Sequence, residues 1–173
     1  MLKARITATG IIRPGMSVLC LAARLGTEVR AFRDFGCFAV GLDINPGPEN
    51  KYVVHGDFHH VQFASGSVDV VFTNSLDHGL QPEKILREVA RVLKPGGLFV
   101  LEASGGTEDE AAEPPEEWEA FYWSSVDKLA AFIEGFSFRL LTRHVFTEPN
   151  PGEHLCFVSE PPVPAKATPA YTS

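Results

Sequence analysis

The stretch Ser17-Val18-Leu19-Cys20-Leu21-Ala22-Ala23-Arg24-Leu25-Gly26 decides the fold. It opens after the turn Arg13-Pro14-Gly15 with a short, β-prone apolar run, and it gives way to Thr27–Phe35, where Val29, Phe32 and Phe35 recur at helical spacing. Gly36 then stops the helix as a C-terminal glycine does. The pattern is strand, tight turn, helix.

The same alternation continues outward. Phe38–Leu42 closes on Asp43, Tyr52–Val54 on His55-Gly56-Asp57, and Val68–Thr73 on Asn74, each a nearly continuous apolar run. Such runs suit parallel strands covered on both faces. Pro82–Leu93 reads as an amphipathic helix with Ile85, Leu86, Val89 and Leu93 on one side; Lys94-Pro95-Gly96-Gly97 ends it, and Leu98–Leu101 follows as a fifth strand. Ser124 and Asp127 open a further helix through Glu134, ended by Gly135. Phe138–Phe146 and His154–Val158 are separated by a connection short enough for an antiparallel hairpin. The expectation is an α/β doubly wound sheet of seven strands with the last strand antiparallel. Residues 1–160 form one domain in this reading, and the Pro/Ala-rich tail 161–173 is disordered.

One connection is too short. Only Ile44 to Lys51, with two prolines, separate Asp43 from Tyr52, whereas parallel neighbours usually need about a dozen residues for a helical crossover. The helix between strands 2 and 3 is therefore expected to be missing. The apolar face it leaves needs a cover, which residues 1–12, a second copy of the chain or a partner protein can supply.

Composition narrows the function. The 173 residues carry 15 Lys and Arg against 22 Asp and Glu, for a net charge of −7, with 45% hydrophobic residues. Between Glu102 and Glu119 stand eight acids and no base, so that segment holds −8 and the rest of the chain +1. No basic stripe for a nucleic-acid backbone exists, and no apolar run spans a membrane. The start of the chain makes a poor signal peptide, so the expected compartment is the cytoplasm. Cys20, Cys37 and Cys156 are widely spaced without a CxxC, and His55, His59 and His60 lack further ligands at matching spacing; no metal site is indicated.

In an open parallel sheet, ligands bind beyond the carboxyl ends of the strands. There stand Ala22 to Gly26, Asp43, Asp57-Phe58 and Asn74-Ser75. An acid closing strand 2 can accept both hydroxyls of a ribose, and one closing strand 3 an adenine amino group. As ordinary alternatives, Asp43 and Asp57 are turn aspartates, and Arg24 pairs with Glu28 one turn later. Neither GxGxxG nor GxxxxGK[ST] is present, which disfavours dinucleotides and nucleotide phosphates.

These segments resemble a family. Val18 to Gly26, Gly41-Leu42-Asp43, Gly56-Asp57-Phe58, Ser67 to Ser75 and Leu86 to Gly97 are similar to the motifs of class I S-adenosylmethionine-dependent methyltransferases of the methyltransferase-11 type. The resemblance implies a Rossmann-like fold, S-adenosylmethionine as cofactor, and in-line transfer of its methyl to an acceptor, expected to be a small molecule. Carried over by residue, it implies cofactor binding by Ala22, Arg24, Gly26, Asp43, Ile44, Asp57, Phe58, Asn74 and Ser75. The family's first motif is acid-x-Gly-x-Gly-x-Gly, and here Cys20, Ala22, Arg24 and Gly26 occupy those four places. Arg24 can face the cofactor's methionine carboxylate. The eroded motif keeps a second reading open, an interaction module of this fold without catalysis. His78, beyond strand 4, is the candidate catalytic base, against the alternative of a loop histidine. Trp118, Phe121, Tyr122 and Trp123 can stack on a flat acceptor or close the core, the latter expected for at least two of them.

Overall fold

The structure is a computed structural model that describes residues 2–106, 108 and 120–160. Its elements are α1 (Leu2–Thr9), β1 (Ser17–Leu21), α2 (Thr27–Asp34), β2 (Phe38–Asp43), β3 (Val53–His55), β4 (Val68–Thr73), α3 (Pro82–Val92), β5 (Leu93–Ala103), α4 (Val126–Glu134), β6 (Phe138–Phe146) and β7 (Gly152–Ser159), with a 3-10 turn at Leu76–His78. The seven strands form one sheet in the order β3-β2-β1-β4-β5-β7-β6. β7 runs antiparallel to both neighbours, and the β1–β5 pairings are parallel. Strand order reverses between β1 and β4, so the ligand crevice of such a sheet lies at their carboxyl ends.

The helices form because each has a face to bury. α3 starts at Pro82, which lacks only a donor the first turn would leave unpaired, and it buries Ile85, Leu86, Val89 and Val92. Together with α4, which buries Val126, Leu129 and Ile133, it covers Leu19, Val71, Phe99 and Phe157 on one face of the sheet. α1 and α2 cover the other face, where Ile6, Val29 and Phe32 meet Cys20, Phe72, Val100 and Cys156. Each fully buried side chain of this size is worth about 1.5–3 kcal/mol.

Local bounds shift, as at β3, which runs Val53–His55 and not Tyr52–Val54. Leu93 leaves α3 to pair with Val68, so β5 starts five residues before Leu98. Ser125, not Ser124, caps α4 by accepting from the Lys128 N–H at 3.3 Å. α1 has no counterpart in the sequence reading. The tail 161–173, Trp118 and most of the acidic segment lie outside the described residues.

No helix joins β2 to β3. α1 does not take its place: Lys3 reaches the Asp34 carbonyl at the end of α2, and Arg5 reaches Glu102 on β5, on the other side of α2. The vacancy is closed by smallness. A Cβ on Gly41 would lie 2.7 Å from the Ala23 Cβ, 2.9 Å from Val53 Cγ2 and 3.0 Å from Val29 Cγ2, so α2 and the edge strand close directly over β2. Val53 is buried as a result, while Val54 on the opposite face of β3 is exposed.

Candidate cofactor site at the carboxyl ends of the strands

The β1–α2 turn carries three alternate positive-φ positions, Ala22 (φ 52°), Arg24 (φ 26°) and Gly26 (φ 71°), of which only the last is a glycine. Side chains with a Cβ avoid this region, so something must hold the first two. The Ala23 N–H donates to the Leu42 carbonyl at 3.2 Å, and the Arg24 N–H donates to Asp43 Oδ2 at 2.8 Å. Asp43 Oδ1 accepts the Asn45 N–H at 2.7 Å. Asp43 is buried, and its carboxylate fixes both the turn and the start of the connection to β3. Ile44 beside it is exposed. The Arg24 side chain is exposed and makes no ion pair among the described residues, with Glu28 or otherwise.

Asp57 stands one strand away. Its Oδ1 accepts from the His59 N–H at 2.8 Å and lies 2.7 Å from His59 Nδ1, while Oδ2 is 3.8 Å from His60 Nδ1. Partial burial pushes the Asp57 pKa up, but the His59 donors and the neighbouring imidazoles outweigh it and leave the carboxyl below its ordinary value. Phe58 packs on the core and against His59, with ring centroids 4.9 Å apart. A Cβ on Gly79 would lie 3.7 Å from the Phe58 ring, which brings the β3 end to the segment after β4.

At the end of β4, Thr73 is fully buried; its hydroxyl donates to the Leu21 carbonyl at 3.3 Å and accepts the Ser75 N–H at 3.2 Å, which locks the switch point between β1 and β4. Asn74 is exposed, and the Ser75 hydroxyl donates to its Oδ1 at 3.1 Å. His78 ends the 3-10 turn, half-exposed, with Nε2 3.9 Å from Asp77 Oδ1. The Asp77 carbonyl accepts the N–H groups of Ala120 and Phe121 at 2.7 and 2.9 Å, so the far end of the acidic segment is tied beside His78. Phe121 and Trp123 close the core against α4, through Phe132 and a bond from Trp123 Nε1 to the Ser104 carbonyl at 3.2 Å. Tyr122 is exposed.

The sequence-predicted residues thus stand at the ends of four adjacent strands and in the 3-10 turn beyond β4. Among the described residues, no group of three or more His, Cys, Asp or Glu is arranged to hold a metal ion, and no helix is long and apolar enough to cross a membrane.

Comparison with known proteins adds the decisive observation. Residues 19–101 match the family model described as methyltransferase domain. That segment, just under half of the 173 residues, is similar to the family. A demethylmenaquinone methyltransferase of Renibacterium salmoninarum is 34% identical over 109 residues, which cover 56% of this chain and 44% of the relative. The chain therefore spans less than half the length of that relative. The fold extends further than the sequence match. A Haloferax volcanii protein solved with the Trm112 methyltransferase activator superposes with a TM-score of 0.73 at 19% identity, over 92% of this chain and 89% of that one. The 1,6-didemethyltoxoflavin-N1-methyltransferase of Burkholderia thailandensis, solved with S-adenosylhomocysteine, gives 0.74 at 15% identity, over 92% and 77%.

Within the matched segment, sequence reading missed the residues that act on others. Asn50, His59 and Thr73 each hold a strand-end group in place. Asn50 carried a turn signal, but its partner Arg24 is 26 residues away.

Proposed function

We propose that the protein transfers the methyl group of S-adenosylmethionine to a small-molecule acceptor, with the cofactor lying across the ends of β1, β2, β3 and β4. One observation carries the reading: Asp43, a buried carboxylate closing β2, spends two acceptor sites on Arg24 and Asn45 and retains the others of its roughly four for ribose hydroxyls. The residues present fit this cofactor better than a dinucleotide. Ala22 and Ala23 offer no glycine cradle for a pyrophosphate, and S-adenosylmethionine has none. The unpaired Arg24 guanidinium suits a carboxylate; exposed Ile44 and partly buried Phe58 suit the faces of a purine. Gly26, Asn74 and Ser75 would line the floor by backbone, and Asp57 Oδ2 would accept from the base's amino group.

When bound, the cofactor supplies a methyl on a sulfonium sulfur. The chain's part is to orient, to exclude water and to take a proton from the acceptor, the last assigned to His78. The named methyltransferases among its relatives and fold neighbours support an enzyme over a non-catalytic module. We assign the β2–β3 edge, where Phe38 and Val54 stay exposed, to a second copy or a partner protein; a strictly monomeric sedimentation profile with no partner recovered on that edge overturns this.

Calorimetric titration tests the cofactor reading. Binding of S-adenosylmethionine in the micromolar range is expected, weakened at least about tenfold by Asp43→Ala, the scale of a lost hydrogen bond to a charged group. No heat at millimolar cofactor with the protein folded, or unchanged affinity in the variant, overturns it.

A further inference from the structure

We infer that Asn50 is a positioning residue for the cofactor site: with Asp43 it clamps the two sides of the Arg24 residue, doing by hydrogen bonds what a glycine there would do by conformational freedom. The inference rests on the reading that the β1–α2 turn holds S-adenosylmethionine.

Arg24 is at φ 26°, where a residue with a Cβ persists only if its surroundings over-determine it. Both of its backbone polar groups are held by side chains from one segment. Its N–H donates to Asp43 Oδ2 at 2.8 Å, and its carbonyl accepts from Asn50 Nδ2 at 2.9 Å. The second Nδ2 hydrogen goes to the Pro46 carbonyl at 3.0 Å, and Oδ1 accepts the Tyr52 N–H at 3.2 Å. A flipped amide would set Oδ1 against two carbonyls, so the network itself fixes the orientation.

The same side chain closes over the end of the turn. A Cβ on Gly26 would lie 3.6 Å from Asn50 Oδ1, and the Val53 methyl sits 3.2 Å from that point. Asn50 belongs to the helixless connection, in which Gly47 and Glu49 also take positive φ and no helix ladder satisfies the backbone. The missing helix and the glycine-poor turn are therefore one arrangement. The helixless strap of residues 44–52 brings Asp43 and Asn50 to the two peptide groups that flank one residue, which a helix in that place would separate. The turn then presents the Arg24 side chain and the freed oxygen sites of Asp43 to one ligand.

A staple that merely stabilised the loop would lower the melting temperature and leave affinity alone. A clamp on a strained residue has another signature: it becomes redundant once residue 24 is glycine, which adopts positive φ without penalty. The test measures S-adenosylhomocysteine affinity by calorimetry for Asn50→Asp in three backgrounds: wild type, Arg24→Ala and Arg24→Gly. Asn50→Asp keeps the acceptor for Tyr52 and loses both donors. Arg24→Ala removes the guanidinium and keeps the Cβ strain.

The expected loss is about tenfold in the wild-type and Arg24→Ala backgrounds, and under about threefold in Arg24→Gly, a coupling typical of residues in direct contact. Faster amide exchange at Arg24 is expected in whichever of Asn50→Asp and Asn50→Ala folds. Equal losses in all three backgrounds, unchanged affinity with a lowered melting point, or unchanged exchange each overturns the clamp. Silence from the wild-type protein overturns the cofactor reading and the clamp with it; failure of the clamp alone leaves wild-type binding intact.

Discussion

His78 stands on a 3-10 turn, its ring half-exposed, 3.9 Å from the nearest Asp77 carboxylate oxygen, so no short hydrogen bond consumes its Nε2. The backbone bonds from Ala120 and Phe121 to the Asp77 carbonyl hold those two residues beside it. If His78 takes the acceptor's proton, His78→Gln lowers kcat about a hundredfold, the lower range for a lost general base, and leaves S-adenosylhomocysteine affinity unchanged. Single-turnover kinetics beside calorimetry checks this; an unchanged kcat would mean that alignment suffices. At this scale the sequence made the acids at the strand ends readable, because a carboxylate closing a strand has its place set by the strand. Asp43 and Asp57 were found in that way. The residues that hold them were not, since His59 looks like one more loop histidine until its Nδ1 is seen 2.7 Å from Asp57.

Elements were legible where periodicity recorded burial. β1 and β4 fall on the residues expected, and α3 differs by one residue, because their apolar runs are long relative to their ends. α1 was invisible for the complementary reason. It buries only Ile6 and has no amphipathic stripe for a period to reveal. Eight residues are too few for a helix to persist alone in water. What holds it is a polar anchor: Arg5 Nε and Nη2 lie 2.6 and 2.9 Å from the two Glu102 oxygens, and its guanidinium stacks over Phe146 at 4.2 Å. Glu102 also meets Nδ1 of the fully buried His154 at 3.0 Å. Burial pushes the Glu102 pKa up, yet the His154 and Arg5 partners more than reverse it, so the carboxyl stays below its usual range. Arg5→Ala therefore leaves a buried charge short of its partner and costs on the order of 3 kcal/mol. Adding Glu102→Gln should return part of that loss. Urea unfolding of the two singles and the double reads the cycle, and strict additivity would sink the claim that the pair anchors α1.

Across the whole molecule, the carboxyl ends of the strands carry the proposed site, and the amino ends hold the sheet together. Asp69, beside the first residue of β4, is the centre of that second end: its Oδ2 accepts the Ser17 N–H at 2.8 Å and the Ser17 hydroxyl at 2.7 Å, and its Oδ1 accepts Lys94 Nζ at 2.6 Å. β1, β4 and β5 are joined there by one carboxylate. Partial burial raises the Asp69 pKa, but Lys94 and the two Ser17 donors prevail and hold it at about 2, against an ordinary 3.8. A carboxyl with a depressed folded pKa stabilises fully above its unfolded value and loses that contribution as pH falls through the folded one. Asp69→Asn should thus destabilise the protein by about 1 kcal/mol at neutral pH, a modest figure because the group is partly solvated. That corresponds to a Tm lower by about 2–4 °C for a chain of this size. The gap should hold above pH 3.8, narrow as the pH falls toward the folded pKa of about 2, where the wild-type carboxyl is half protonated, and close below it. Because Asp69 lies at the far end of β4 from Thr73 and the site, S-adenosylhomocysteine affinity should not follow the change. A melting difference that stayed constant from pH 7 to pH 2 would assign the loss to shape and not to charge, and a parallel loss of affinity would show that the two ends of the sheet are coupled.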